Sequence, residues 1–429
     1  MKRPIAIDLF SGCGGMSLGL EAAGFDIVAS VEFDAIHTIV HHFNFPYGVS
    51  ICKDIFLLRS TDLLQAIEKK GYATDIDLIA GGPPCQGFSQ IGKRQLDDPR
   101  NSLVFEYLRI IKEVRPKYFI FENVPGLVSG KHKKFLNELI NEFEKIGYVI
   151  EKPISILDAC LYGAPQRRKR VILVGSRNDV KKASYPKQTH FEFNQNQLSL
   201  FDNQRQLLTT AKEVIGDLER HEAFVGCDQG IKEKLLDYTG FRKSFSIDPM
   251  GEYSLCHKRN VNRVVYNHIA SQHTEKSIKR FQETVPGTTE KISRFFKLDP
   301  KGQCNTLRAG TASDKGAYTA PRPIHYSIPR CITVREAARL HTFPDWFRFH
   351  NTIWHGFREI GNAVIPFLAK SLGSQIVAAM NIPINELQAY ELDHIKEELL
   401  GFNMGQASEF WGVPHDVIPK RKRLVKDAA

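Results

Sequence analysis

Ile5-Ala6-Ile7-Asp8-Leu9-Phe10-Ser11-Gly12-Cys13-Gly14-Gly15 follows four opening residues, and its reading decides the fold. The apolar run Ile5–Phe10 predicts a short buried strand. Gly15 to Ala23 predicts a short helix closed by Gly24, a residue that tolerates the left-handed helix end. Glycines between a strand and a helix let the backbone approach a nucleotide-like ligand. A second strand, Ile27–Phe33, carries Glu32, 20 residues after Gly12, where a carboxylate can accept hydrogen bonds from ribose hydroxyls. The pattern is not a strict G-x-G-x-x-G, because Ser17 stands among Gly12, Gly14, Gly15 and Gly19. NAD, FAD and S-adenosylmethionine all suit it, and so does a tight turn that binds nothing.

The same rhythm continues outward. Asp75–Ala80 and Tyr118–Phe121 are further apolar runs. Between them Asp98 can cap a helix, Pro99 suits its first turn, and Leu103, Tyr107, Ile110, Ile111 and Val114 share one face before Pro116. Phe135, Leu139, Phe143 and Ile146 mark another helix, ended by Gly147. Strands alternating with amphipathic helices predict an α/β fold, a doubly wound and mostly parallel sheet. Tyr148–Leu157 and Val171–Gly175 leave no room for a helix between them, so an antiparallel edge hairpin is expected. Beyond Arg177 the texture changes. Residues 193–208 are Asn/Gln-rich, and up to about 330 the elements are short, which predicts a second, smaller domain. Helical periodicity returns at Thr333–Leu340 and after Pro366, where Leu368, Leu372, Ile376 and Ala379 form an apolar face.

Composition sets the outer bounds. With 429 residues, 42% hydrophobic and 25% charged, the chain suits two globular domains rather than a disordered protein. No run approaches the ~20 apolar residues of a membrane span, and the start is too short for a signal-peptide core. Eight cysteines without a C-x-x-C pair indicate neither a zinc ribbon nor a disulfide framework, so a reducing cytoplasm is expected. Residues 181–330 hold 24 Lys+Arg against 16 Asp+Glu, which is +8 of the chain's +10. A basic segment in a nearly neutral frame suggests a polyanion partner, nucleic acid being the commonest.

Three further stretches carry chemistry. Gly81-Gly82-Pro83-Pro84-Cys85-Gln86-Gly87-Phe88-Ser89 puts a thiol at the mouth of the fourth strand, where doubly wound sheets bind ligands. Glu122, 37 residues on, ends the next strand in Phe121-Glu122-Asn123-Val124 and falls at the same sheet edge. In Gln166-Arg167-Arg168-Lys169-Arg170, strand alternation sends Gln166, Arg168 and Arg170 to one face. Each has a plainer reading: an inert core thiol, an ordinary exposed acid, a solvated basic turn. Together they suit one reaction. A thiolate attacking carbon 6 of cytosine, with Glu122 protonating ring nitrogen 3, makes carbon 5 nucleophilic enough to take a methyl group from a sulfonium. An arginine near the ring oxygen would bind the charge developing there.

At this point the chain resembles the cytosine-5 DNA methyltransferases of bacterial restriction–modification systems. The resemblance rests on Phe10-x-Gly-x-Gly, Pro84-Cys85-Gln86, Glu122-Asn123-Val124 and Gln166-x-Arg168-x-Arg170 in the family's order. It continues through Ile332-Thr333-Val334-Arg335-Glu336-Ala337-Ala338-Arg339-Leu340-His341-Thr342-Phe343-Pro344-Asp345 to Gly361-Asn362-Ala363-Val364. It implies Cys85 as nucleophile, with Glu122, Gln86, Asn123, Arg168 and Arg170 around it. It also implies an S-adenosylmethionine site, with S-adenosylhomocysteine as product and no metal. Phe10 would stack on the adenine, Glu32 would bind the ribose, and Asp54 and Ile55 would meet the adenine. Gly12, Gly14, Gly15, Pro84, Leu103 and Asn362 would complete the pocket. Residues 1–182, completed by 350–385, would be catalytic, 183–349 would recognise the target, and 386–429 would be an extension. Ser89, Lys258, Arg259 and Arg263 are candidate DNA contacts, the last three within a basic stretch that also holds His257, Lys276, Lys279 and Arg280. The resemblance further implies double-stranded DNA as partner, a monomer, no membrane, and a cytoplasmic protein at the bacterial nucleoid. In one departure from the family pattern, Ile365 precedes Pro366, which shifts the turn before the last helix. The alternatives are the same chemistry on tRNA, a Rossmann-type dinucleotide oxidoreductase, and a DNA-binding regulator without catalysis.

Overall fold

Alternation along the strands explains how the sheet is buried on both faces. In β1 (Ile5–Leu9) residues Ile5, Ile7 and Leu9 point to one face and Ala6 to the other; in β5 (Tyr118–Asn123) Phe119 and Phe121 oppose Tyr118 and Ile120. The computed structural model describes residues 2–84, 102–130, 132–192, 206–246, 251–259, 262–310, 322–392 and 396–415. Cys85, Gln86, Ser89 and the Asp98-Pro99 helix start lie outside them.

β1, β2 (Asp26–Glu32), β3 (Val49–Cys52), β4 (Leu78–Gly81) and β5 run parallel in the order β3-β2-β1-β4-β5. The order reverses between β1 and β4, the place where such sheets bind ligands. β6 (Tyr148–Ile150) and β7 (Ser155–Asp158) both pair antiparallel with β8 (Lys169–Arg177). The antiparallel pairing is as predicted, but β8 is no edge strand: it inserts against β5, with Glu122 opposite Ile172. Nine residues of β8, six of them buried, can satisfy ladders on both sides, whereas three-residue β6 can form only a rim.

Helices α1 (Gly15–Ala22) and α2 (Ala35–Asn44) follow β1 and β2, and α3 (Ser60–Lys69), α4 (Ser102–Val114) and α5 (His132–Lys145) cover the Ile7/Phe119 face. Val104 joins Tyr107, Ile110 and Ile111 in the wholly buried stripe of α4. Helices α6 (Ala211–Ile215) and α7 (Glu275–Glu283) lie among two-residue strands and short turns. At the end of the Gln-rich stretch Gln206-Leu207 pairs with His190-Phe191. Next come α8 (Val334–Leu340), with a Thr333/Glu336 capping box, α9 (Ile353–Asn362), α10 (Pro366–Ala379) and α11 (Met404–Trp411). α10 begins at Pro366 itself, with Ile365 outside it, so the extra residue before the proline only lengthens the connection. α10 packs on α1 through glycine. A Cβ on Gly15 would stand 2.3 Å from the Val364 carbonyl oxygen, and one on Gly19 2.3 Å from that of Pro366.

Candidate active site

At the carboxyl ends of β1, β2, β4 and β5 the chain leaves a cavity of about 720 Å³. Phe10, Gly12, Glu32, Asp54, Ile55, Pro84, Leu103, Glu122, Asn123, Arg168, Arg170 and Asn362 all line it. That size lies inside the roughly 300–1,000 Å³ of small-molecule sites. Gly14 and Gly15 do not line it, because both are turned into packing: a Cβ on Gly14 would meet Phe45 at 2.5 Å.

One end of the cavity is built by the β1–α1 turn. Phe10 is held at φ +60°, a conformation that costs a bulky residue energy and marks sites where the surroundings demand it. The Glu32 carboxylate accepts the N–H groups of Gly12 (2.8 Å), Phe33 and Asp34 (2.9 Å each), tying the glycine turn to the end of β2. A carboxylate has about four acceptor positions, so one remains for a ligand hydroxyl. Asp54 accepts from the Phe56 N–H at 3.0 Å and so sets the turn that presents Ile55. Phe33 and Phe56, 42% and 49% exposed, are apolar wall that sequence reading overlooked.

The other end carries charge. Arg170 Nε lies 2.5 Å from Glu122 Oε1, with both side chains largely buried. Glu122 Oε2 lies against Gly82, where a Cβ would come within 2.6 Å of it; only glycine makes room there. Asn123 donates from Nδ2 to the Pro83 carbonyl at 3.1 Å and accepts from the Val124 N–H, so it fixes the strand end and the Pro-Pro turn together. Pro84 lines the cavity and Cys85 is the next residue. Arg168 is arranged differently from Arg170. Its guanidinium donates to the carbonyls of Leu307 (2.8 Å), Gly361 (2.9 Å) and Ala363 (3.1 Å), joining β8 to the end of α9. Burial, with Arg170 adding to it and Glu122 opposing, lowers its pKa to about 9. Gln166 is wholly buried and bonds His341, while Arg167 and Lys169 face solvent, as the alternation predicts.

Sequence reading missed the cavity's Asp8, Asp34, Lys53 and Arg358. An acid inside the apolar run Ile5–Leu9 was the signal for Asp8. Burial pushes its carboxyl up to about 7 against two hydrogen bonds from Ser17, of which the hydroxyl's is 2.6 Å. Ser17 is bonded in turn to His41, and His41 to Ser30. Arg358 stands one helical turn before Asn362 and grips Asp34 at 2.6 Å.

Two of the candidate DNA contacts are corrected. The Arg259 side chain is only 9% exposed, pairs with the buried Glu21 at 2.7 Å, and lies 4.3 Å over the Trp346 ring. His257 is fully buried on Asp26 at 2.9 Å. Neither can reach a phosphate; both bolt residues 257–259 to the sheet domain. Arg263 is exposed and pairs with Glu233, and Arg280 pairs with Glu290. Lys258, Lys276 and Lys279 are exposed. Among the described residues no cluster of His, Cys, Asp or Glu could hold a metal ion, and no helix is long and apolar enough to cross a membrane.

Residues 5–378 match the family model of C-5 cytosine-specific DNA methylases. The chain is 43% identical to the Type II methyltransferase M.XorII of Xanthomonas oryzae pv. oryzae, over 99% of this chain and 96% of that protein. It is 32% identical to the Type II methyltransferase M.DdeI of Desulfomicrobium norvegicum, over 86% of this chain and 88% of that one. Among solved structures, a putative DNA modification methyltransferase encoded within an E. coli prophage superposes with a TM-score of 0.68 at 32% identity, covering 88% of this chain and 99% of that chain. The Dnmt2 methyltransferase of S. pombe shares the fold, with a TM-score of 0.53 at 18% identity over 89% of this chain and 100% of that chain.

Proposed function

The chain belongs to the C-5 cytosine-specific DNA methylase family, and from that premise we propose that it methylates carbon 5 of cytosine within a short double-stranded DNA sequence, using S-adenosylmethionine. The observation that carries this reading is one cavity with a mixed polar and apolar end at Phe10, Glu32 and Ile55 and a buried Glu122–Arg170 pair at the other. The residues fit the cofactor: Phe10, Phe33 and Ile55 offer apolar surface for the adenine, Glu32 a remaining acceptor for the ribose, and Asn362 a polar side chain. When bound, the cofactor supplies an electrophilic methyl group.

The protein's own part begins with taking the target base out of the duplex, at a cost of a few kcal/mol met by phosphate and base contacts. Cys85, directly after the cavity-lining Pro84, adds as thiolate to carbon 6 of the base. Glu122, oriented through Oε1 by Arg170, meets ring nitrogen 3, so that electron density moves to carbon 5 as the carbon–sulfur bond forms. After methylation, loss of the carbon 5 proton expels the thiolate. Asn123 and Arg168 are positioning residues, the first for the Pro-Pro turn and the second for the wall at residues 361–363. M.XorII and M.DdeI carry Type II names, which supports a restriction–modification role, protecting the DNA of a bacterial cytoplasm from a cognate endonuclease. Residues 183–349 would read the target.

The test is methyl incorporation from labelled S-adenosylmethionine into duplex DNA and into tRNA, with bisulfite sequencing of DNA from expressing cells. Labelling of tRNA alone would overturn the choice of substrate. Binding of NAD without S-adenosylmethionine would overturn the class.

A further inference from the structure

The family match ends at residue 378, yet residues 397–413 fold back onto one of two helices that close the cavity and onto the segment leading into the other. The first is α2, whose capping residue Asp34 and first-turn His37 line the cavity; the second is α9, which carries Arg358 and Asn362. Leu399, Phe402, Met404, Ala407 and Trp411 pack on Ala35, Ile36 and Ile39 of α2. Trp411 Nε1 donates to the Ala35 carbonyl at 3.1 Å, at the first residue of that helix. At the other fastening, His350 donates from Nε2 to the Phe402 carbonyl at 2.9 Å, since only an N–H can bond a carbonyl oxygen. The Asn351 N–H donates to Leu400 at 2.9 Å.

These contacts close a ring around the cavity wall. The His350 N–H donates to Glu359 Oε2 at 3.1 Å; Arg358 beside it grips Asp34 at 2.6 Å; and Asp34 accepts from the Ile36 N–H of α2 at 3.0 Å. Trp411 on Ala35 completes the circuit back to the C-terminal segment. The circuit therefore runs from residues 397–413 to the segment just before α9, on to α9, across to α2 and back to residues 397–413.

We propose that residues 397–413 are a brace that sets cofactor affinity, holding the first turn of α2 against the base of α9, with Trp411 and His350 as its fastenings. Trp411 is thus a positioning residue. The proposal rests on reading the cavity as the S-adenosylmethionine site.

The test uses the full chain with Trp411→Ala and Trp411→Phe. Binding of S-adenosylmethionine and S-adenosylhomocysteine is measured by calorimetry, together with KM for cofactor, KM for DNA, kcat and the thermal midpoint. Trp411→Ala should raise the Kd for both nucleosides about tenfold, the scale of one lost hydrogen bond with its packing. KM for cofactor should rise with it, while kcat at saturation and KM for DNA stay within about twofold. Trp411→Phe, which keeps a ring and loses the donor, should recover part of the affinity. An unchanged Kd would overturn the brace, and so would parallel losses in kcat and DNA affinity, which mark general loosening. If the unaltered, folded chain binds neither nucleoside, the cofactor reading itself falls, an outcome separate from failure of the brace.

Discussion

Gly82→Ala should disable the enzyme while leaving it folded. No positive φ holds Gly82, so alanine suits its backbone, but the new methyl would stand 2.6 Å from Glu122 Oε2. Ordinary contact begins near 3.4 Å, so the carboxylate must retreat by about 0.8 Å. The obstacle is the tip of a side chain, so the folding cost should lie at the lower end of the ~1–3 kcal/mol typical of overpacking. Glu122 cannot retreat for free, because Arg170 holds its other oxygen at 2.5 Å. A displacement of about 1 Å at a reacting group costs on the order of 10²-fold in rate, and kcat for methyl transfer to duplex DNA should fall by that much. Cofactor Kd should stay within about threefold, since Gly82 faces Glu122 and not the ribose end. A double-mutant cycle sharpens the test, because Gly82→Ala should add little once Glu122→Gln has removed the acid. A folded Gly82→Ala protein with kcat within about threefold of the parent would refute the claim that Glu122 must sit where Arg170 and Gly82 put it.

Cys85→Ser should abolish turnover while cofactor binding survives, and duplex DNA carrying 5-fluorocytosine should become covalently trapped; retained methylation or no trapped band would sink the thiolate mechanism. Glu359→Gln should make stability less sensitive to pH. Burial, with Asp34 adding to it, raises the Glu359 pKa to about 8, so between about 4.5 and 8 the native state keeps a proton that the unfolded chain has released. Its contribution is complete at low pH and is lost as pH rises, by roughly 1.4 kcal/mol per unit at most. Urea titrations should show the variant gaining on the parent from pH 5 to pH 8, and a constant gap would exclude that titration. DNA affinity should fall roughly 10³-fold or more between about 50 and 200 mM salt for about six phosphate contacts; a flat response would mean that the basic segment serves only solubility.

The sheet was legible because its strands are apolar runs ending in loop chemistry and its helices carry single apolar faces. The site residues were legible where a side chain's role depends on its position at a strand mouth: Phe10, Glu32, Glu122 and Arg170 all face one cavity. Other features were not, for a common reason. β8 leaves the edge because of ladder partners far away in sequence, which alternation does not encode. Arg168 looks like a ligand-facing cation in a Gln-x-Arg-x-Arg strand, yet its hydrogen bonds go to carbonyls 139 to 195 residues distant. Gly14 and Gly15 belong to a glycine turn, but what they accommodate is Phe45 and the connection before α10 rather than a phosphate.

The basic segment shows the same limit most clearly. Residues 181–330 carry +8, but a count over a stretch of sequence ignores acids that fold in from elsewhere. Arg259 is matched by Glu21 and Arg330 by Glu336, both partners lying outside the stretch. Guanidinium groups suit such buried, multidentate roles, whereas an ammonium is strongly hydrated and stays at the surface. Lys258, Lys276, Lys279 and Lys291 are indeed exposed, as are Lys181, Lys182, Lys212, Lys232, Lys234 and Lys301, while among the arginines Arg220, Arg263, Arg294 and Arg308 are exposed too. The charge that can meet DNA is therefore carried mainly by lysines. Loss of Lys276 or Lys279 should weaken binding to all sequences alike and reduce the salt slope by about one each if it touches a phosphate. Loss of Arg259 should instead leave Glu21 buried without its cation and lower stability at unchanged salt slope, which separates a phosphate contact from a bolt in the fold.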